Sequence, residues 1–257
     1  MSSTEINMLE RTFLHAPGVG RVTEQALWGA GANSWQAFLE GSGQWPITEA
    51  QNASIVSTLN ESLVRLENGD FAWFARLLPA QEHWRAVPSF GYQLGFLDIE
   101  TNGGQNAEDL TVIGLYDGRT MRQFVAGINL HDFPNAVADT AMLVTFFGTV
   151  FDIPFIKRAF PRLSLPQLHV DLCYLFRRVG RKGGLKSIER QLGIVRSSAA
   201  DGLDGMDAVR LWQEYRLGRK RSLELLLNYN AEDVKNMAEL LQTGYHMIRR
   251  QTLSGGA

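Results

Sequence analysis

Cysteine is nearly missing from this sequence: Cys173 is the only one among 257 residues. That excludes a disulfide scaffold and a thiolate metal site. Long hydrophobic runs are missing too. The longest, residues 141–151, is broken by Thr145, Gly148 and Thr149 and is too short to span a bilayer. The first residues carry Glu5, Glu10 and Arg11 and no apolar stretch, so no secretory signal is visible. The expectation is a cytoplasmic, soluble protein with no membrane partner. Internal repeats are absent, as is low complexity beyond Ser254-Gly255-Gly256. What is present is core-forming material: 45% hydrophobic residues, with 14 Phe and 6 Trp. This excludes disorder, and the length suits one large domain or two modest ones.

The net charge of −2 conceals an uneven distribution. Residues 1–90 hold five basic against nine acidic side chains, whereas residues 157–196 hold ten basic against two acidic. A concentrated basic stretch suits a polyanion such as nucleic acid, although a solvated helix face has the same composition. Five of the six Trp fall within the first 84 residues, which read as helical. Beyond Pro88 and Gly91 the pattern changes. Short apolar runs at 94–97, 111–116, 120–125, 142–147 and 168–170 read as strands, with Asp117-Gly118 as a hairpin turn. Helical stretches are expected from Asp152 towards Phe160, then over 185–192, 207–217 and 222–248, with Gly193 closing the second. The division is therefore a helical N-terminal region, 1–88, and an α/β layer domain, 91–250.

Three groups of carboxylates stand out. Asp98 and Glu100 follow the 94–97 run at alternate positions, so they share one face and can aim at a common point. Paired buried carboxylates repel, and a divalent cation relieves that cost; hard oxygen ligands favour Mg²⁺ or Mn²⁺. Asp152 follows an apolar strand and opens a helix, where a helix cap alone would account for it. Tyr229 and Asp233 lie four residues apart on a helix and share a face, so the phenol could orient a water beside the carboxylate. Each group alone has an ordinary structural explanation.

Together, in this order and context, they resemble the ribonuclease-H-like 3′–5′ exonucleases of the DEDD class, in the tyrosine (DEDDy) branch. The tract from Phe96 to Leu241 is also similar to the bacterial YprB-like family. The carrying motifs are Leu97-Asp98-Ile99-Glu100-Thr101, Val150-Phe151-Asp152-Ile153-Pro154, His169-Val170-Asp171-Leu172, Gly184-Leu185-Lys186-Ser187-Ile188-Glu189 and Leu227-Asn228-Tyr229-Asn230-Ala231-Glu232-Asp233-Val234. The histidine branch places His five residues before the last Asp, and here that position is Asn228. The family's Asn shortly before the Phe-Asp pair is also missing, since the chain has Phe147-Gly148-Thr149-Val150.

The resemblance implies a ribonuclease-H-like mixed sheet flanked by helices and a two-metal-ion hydrolysis of phosphodiesters. The two ions, Mg²⁺ or Mn²⁺, would lie about 4 Å apart. Asp98 would bridge them, Glu100 and Asp233 would complete one site, Asp152 would hold the second ion and Tyr229 would orient the nucleophile. Thr101, Phe151 and Lys186 are the expected substrate contacts, and the partner is nucleic acid, foremost a single-stranded 3′ end. His169 and Asp171 read as a satisfied hydrogen-bonding pair, and Asp201, Asp204 and Asp207 as cap and loop residues. Two other classes compete: a non-catalytic nucleic-acid-binding module of the same fold, and a structure-specific endonuclease. In the N-terminal region, residues 13–28 with Gly18-Val19-Gly20 resemble a helix–hairpin–helix element. Such a turn could bind phosphate through backbone N–H groups, or serve as a tight structural turn packed on the catalytic domain.

Overall fold

The computed structural model describes residues 7–41, 45–196, 202 and 204–255. The chain divides into two compact units, one of residues 1–92 with 251–257 and one of residues 93–250. Among the described residues no helix is long and apolar enough to cross a membrane.

The first unit is helical: α1 (Met8–Arg11), α2 (Arg21–Gly29), α3 (Trp35–Glu40), α4 (Glu49–Glu67), α5 (Phe71–Leu77) and α6 (Val87–Phe90). Its core is aromatic, with Trp35 and Phe74 stacked at 6.1 Å among buried Phe13, Phe38 and Phe90. His15 is sealed inside against the Ser62 hydroxyl at 2.9 Å, and burial lowers its pKa to about 3. The Gly18-Val19-Gly20 turn does open α2, with Gly20 as its N-cap. It is tied to α4, since Gln51 donates to the Gly18 carbonyl and Ser54 to that of Pro17. Glu24 in the first turn of α2 is buried and accepts from Thr12, from the Phe13 N–H and from Arg85.

The second unit is built on β1 (Leu94–Thr101), β2 (Leu110–Tyr116), β3 (Met121–Val125), β4 (Met142–Thr145) and β5 (Leu168–Asp171), in the order β3-β2-β1-β4-β5. Strands β1, β2 and β3 form an antiparallel meander, and β4 and β5 join β1 in parallel. Helices α7 (Phe133–Val137), α8 (Asp152–Ala159), α9 (Leu172–Arg178), α10 (Leu185–Leu192), α11 (Gly205–Arg216) and α12 (Lys220–Leu253) complete it, the last three residues of α12 falling in the first unit. This is the mixed sheet with flanking helices of a ribonuclease-H-like fold.

Side-chain alternation along the strands distributes the two faces. Leu97, Ile99, Ile113 and Leu115 pack with Phe133 of α7 and with Phe155 and Ile156 of α8. Val112 and Val125 face the other way, against α11 and α12 through Leu211, Trp212 and Leu226. Each such side chain, fully buried, contributes about 1.5–3 kcal/mol. The apolar stripe of α12 runs through Leu226, Val234, Met237 and Leu241, and Tyr229, Asn230 and Asp233 are buried beside it. Gly193 ends α10 in the left-handed conformation (φ 78°), as its position after the helical pattern predicts. Asp204 caps α11 reciprocally with Asp207, so these two are cap residues, while Asp201 lies outside the described residues.

Candidate active site

Strand β1 runs through the middle of the sheet and extends further than β4, whose pairing with it stops at Phe96. Asp98 and Glu100 therefore lie inside the strand rather than after it, on the face towards α11 and α12. Beyond Phe96 the Ile99 N–H donates to Asp152 Oδ1 at 3.1 Å. Asp152 is thus not the helix cap that its sequence position suggests. Phe151 is the N-cap of α8 and makes no side-chain cap bond. Asp152 sits one residue inside and takes the place of a strand partner, which pins the start of α8 to β1 between the two carboxylates.

Helix α12 descends on this face. Opposite Asp98 in β2 stands Gly114, where a Cβ would come within 2.3 Å of Asn230 Oδ1. The missing side chain lets Asn230 reach the sheet. Its Nδ2 donates to Asp98 Oδ2 at 3.1 Å, with a longer 3.5 Å contact to Glu100 Oε1. Gln123 Nε2 donates to both Asn230 Oδ1 and the Leu227 carbonyl, which fixes the amide's orientation. One turn along α12, Asp233 accepts from Arg196 Nη1 at 2.5 Å, and its charge acts on the neighbouring Tyr229 phenol. The same guanidinium grips Glu189 with two bonds, of 2.5 and 2.8 Å, and Asn236 donates to Glu189 at 2.9 Å. The Arg196, Glu189 and Asp233 side chains are nearly excluded from solvent.

One cavity of about 250 Å³ is lined by Asp98, Glu100, Asp152, Tyr229 and Asp233, and also by Thr101 and Phe151. Of the expected site residues only Lys186 is absent from its lining. Its Nζ lies 4.8 Å from the centre of the Tyr229 ring, buried and with no hydrogen-bond partner among the described residues. It is therefore not the surface lysine its sequence context allows. His169 and Asp171 are both satisfied: His169 bonds Thr145 Oγ1, and Asp171 accepts the N–H groups of Phe147, Thr149 and Cys173.

The electrostatics are those of crowded, desolvated carboxylates. Burial drives the Asp98 carboxyl well above its usual range, and Asp152, Glu100 and Asp233 add repulsion. Burial and then Asp233 do the same to Glu100. Asp152 rises to about 7 by burial, despite the Ile99 N–H. Asp233 is also raised by burial, with Arg196 opposing the rise. Burial and the Asp233 charge push the Tyr229 phenol up, so it stays a donor. Among the described residues no three acidic, His or Cys side chains converge closely enough to form a closed ligand cage. The donor chemistry nevertheless fits a hard divalent cation, because the cavity presents carboxylate oxygens whose shared cost is repulsion and desolvation.

Asn230, Arg196 and Glu189 are the site residues that sequence reasoning misses. Asn230 stands between Tyr229 and Asp233 but carries no spacing signal of its own. Glu189 enters only as part of a motif, and Arg196 is one of ten basic residues in its stretch.

The RNase_H superfamily profile matches residues 95–245, more than half of the chain. The chain belongs to the ribonuclease H superfamily. Among solved structures, this ribonuclease-H-superfamily protein is similar to the family B DNA polymerase of the hyperthermophilic archaeon Pyrobaculum calidifontis, with 17% identity and a TM-score of 0.47 over 58% of this chain and 24% of that one. It is also similar to Escherichia coli RNase D, an exoribonuclease involved in structured RNA processing, with 17% identity and a TM-score of 0.41 over 69% of this chain and 48% of that one. The chain thus spans about a quarter and about half of their lengths. No curated protein matches it.

Proposed function

We propose that this protein is a metal-dependent 3′–5′ exonuclease of the tyrosine DEDD type, in the YprB-like group. It would hydrolyse phosphodiester bonds of DNA or RNA and release nucleoside 5′-monophosphates. One observation carries this reading: four carboxylates and a tyrosine, from β1, α8 and α12, line a single cavity in a ribonuclease-H-superfamily domain.

Asp98, Glu100, Asp152 and Asp233 would hold two Mg²⁺ or Mn²⁺ ions. Bound there, the ions would supply Lewis-acid neutralisation of the phosphate and a water of lowered pKa. The rest of the chemistry falls to the chain. Asn230 fixes the Asp98 carboxylate, and the Ile99 N–H fixes that of Asp152. Arg196 holds Asp233, so the Tyr229 hydroxyl beside it can align the attacking water. The Lys186 ammonium, packed behind the Tyr229 ring, adds positive potential where the phosphate enters. Each residue is positioned before substrate arrives, which lowers the reorganisation needed at the transition state.

The test is digestion of 5′-labelled single- and double-stranded DNA and RNA with Mg²⁺, Mn²⁺ or EDTA, by wild type and Asp98→Ala. Laddering from the 3′ end that requires metal, and falls by orders of magnitude in the variant, is expected. Binding without product in either metal would point to a non-catalytic module, and internal cuts on a circular substrate to an endonuclease.

A further inference from the structure

The loop between β4 and α8 carries a backbone feature that packing does not require. Phe147 has φ 65°, the only positive φ among the described non-glycine residues. For a bulky side chain the left-handed region costs about 1–2 kcal/mol. The ring so placed is not core, since Phe147 is 41% exposed. A single carboxylate holds the strained turn: Asp171 accepts from the Phe147 N–H at 2.9 Å and from the Thr149 N–H at 3.0 Å.

The same Asp171 caps α9 by accepting from the Cys173 N–H. It thereby locks to this loop the helix that carries Tyr174 and Arg177. The Tyr174 ring is 38% exposed and lies 6.2 Å from that of Phe147. The Arg177 guanidinium stands over both rings, at 5.2 Å from Tyr174 and 5.9 Å from Phe147. Phe147 and Phe151 border the carboxylate cavity, whereas Tyr174 and Arg177 lie outside its lining. At Gly148 a Cβ would come within 2.4 Å of Thr145 Oγ1, so the loop has no room there for a polar side chain.

We propose that Phe147 and Tyr174, with Arg177, form a stacking platform for the unpaired bases of a single-stranded nucleic acid whose 3′ end enters the carboxylate cavity. Partly exposed rings next to a guanidinium offer what a base needs, because every base has a π-face and stacking tolerates sequence. Of the ten basic residues in 157–196, Arg196 is held by Glu189 and Asp233 and the Lys186 ammonium is buried, while exposed Lys157, Arg158, Arg162, Arg177, Lys182 and Arg190 offer positive charge to a phosphodiester backbone. A base pair would have to open before its bases could lie on these rings, so the platform selects single strands over blunt duplex. The proposal rests on the nuclease reading for the direction of the strand, not for the stacking itself.

A double-mutant cycle tests it. Anisotropy of a 5′-labelled ten-nucleotide single strand, DNA and RNA in parallel, is measured with Ca²⁺ in place of Mg²⁺ to keep the strand intact. A second strand carries abasic residues at its three 3′-terminal positions. Phe147→Gly removes the ring while suiting the positive φ, and Phe147→Trp keeps an aromatic face. Phe147→Gly and Tyr174→Ala should each weaken binding of the intact strand about 10-fold, within the ~5- to ~150-fold that one lost base–aromatic stack represents. They should change binding of the abasic strand less than about twofold, as should Phe147→Trp for the intact strand. Equal losses on both strands, or no loss on either, would overturn the platform. Its failure and that of the nuclease reading remain distinct. A base-dependent loss from a wild type that cleaves nothing keeps the platform and removes the enzyme. Metal-dependent laddering without base dependence does the reverse.

Discussion

Replacing Asp152 by Asn should abolish activity and yet stabilise the metal-free protein at neutral and alkaline pH. The Asp152 side chain is almost fully buried, and its pKa is raised from 3.8 to about 7, by burial first and by the Asp171 charge in addition. The difference of about three units corresponds to roughly 4 kcal/mol at 1.36 kcal/mol per unit. The sign follows from proton linkage. Below about pH 4 the carboxyl is protonated in folded and unfolded chains alike, and there is no cost. Between about pH 4 and 7 the unfolded chain has lost the proton while the folded one retains it, so folding loses about 1.4 kcal/mol per pH unit. Above pH 7 the full cost remains. The amide introduced by Asp152→Asn would still accept the Ile99 N–H through its oxygen but would carry no charge. In EDTA the variant should match wild type near pH 4 and exceed it by up to about 4 kcal/mol at pH 8, a gain on the order of 10 °C in Tm for a chain of this size. Mn²⁺ should stabilise wild type more than the variant and so narrow the gap. Urea unfolding followed by circular dichroism across this pH range reads the difference. A gap that stays constant from pH 4 to 8, or a variant less stable than wild type at pH 8 in EDTA, would refute the reasoning.

Two further substitutions probe the supports of the site. Arg196→Gln leaves Glu189 and Asp233 buried without their shared cation, so the protein should lose about 3–5 kcal/mol at pH 8. The loss should shrink towards pH 5, as the Asp233 carboxyl, raised by burial, takes up a proton, and both values come from denaturant midpoints at the two pH values. Gly114→Ala places a Cβ against Asn230 Oδ1 and within 2.8 Å of Val234 Cγ2. Overpacking there should cost about 1–3 kcal/mol. It should also lower hydrolysis by shifting the Asn230 amide from Asp98, which Gly29→Ala, in helix α2 with no atom near its Cβ, should not do.

Alternation and helical spacing made part of this site legible in the sequence. Leu97 and Ile99 bracket Asp98 and precede Glu100, so a period of two assigns apolar and acidic side chains to opposite faces without any structure. The four-residue interval from Tyr229 to Asp233 does the same on a helix. Local pattern fails where the deciding partner is distant. Asp152 reads as a helix cap because its neighbours open a helix, but the donor it meets is Ile99, available because β4 pairs with β1 only to Phe96. Asn230 has nothing to mark it until the sheet order sets Gly114 opposite Asp98 and clears a path for the amide. Arg196 could not be separated from the other basic residues, because what distinguishes it is a position between two buried carboxylates from α10 and α12.

The charge count bears on the proposed two-ion reading of the site. Asp98, Glu100, Asp152, Asp233 and the Arg196-bound Glu189 are five buried or half-buried carboxylates. Arg196 and Lys186 are the cations whose charges act on them from within the same cluster. If every carboxylate is ionised, three negative charges are left over, and at Asp98 and Glu100 this repulsion adds to the burial that raises the carboxyl pKa values. One divalent cation would leave the cluster negative and repel a phosphodiester. Two would leave it one unit positive, and the single charge of a phosphodiester would then bring it to neutrality. A role in folding alone would be served better by amides or apolar groups at these positions, since buried like charges weaken the folded state. On the proposed reading, the cluster is costly when empty and would be neutral with two cations and a phosphate.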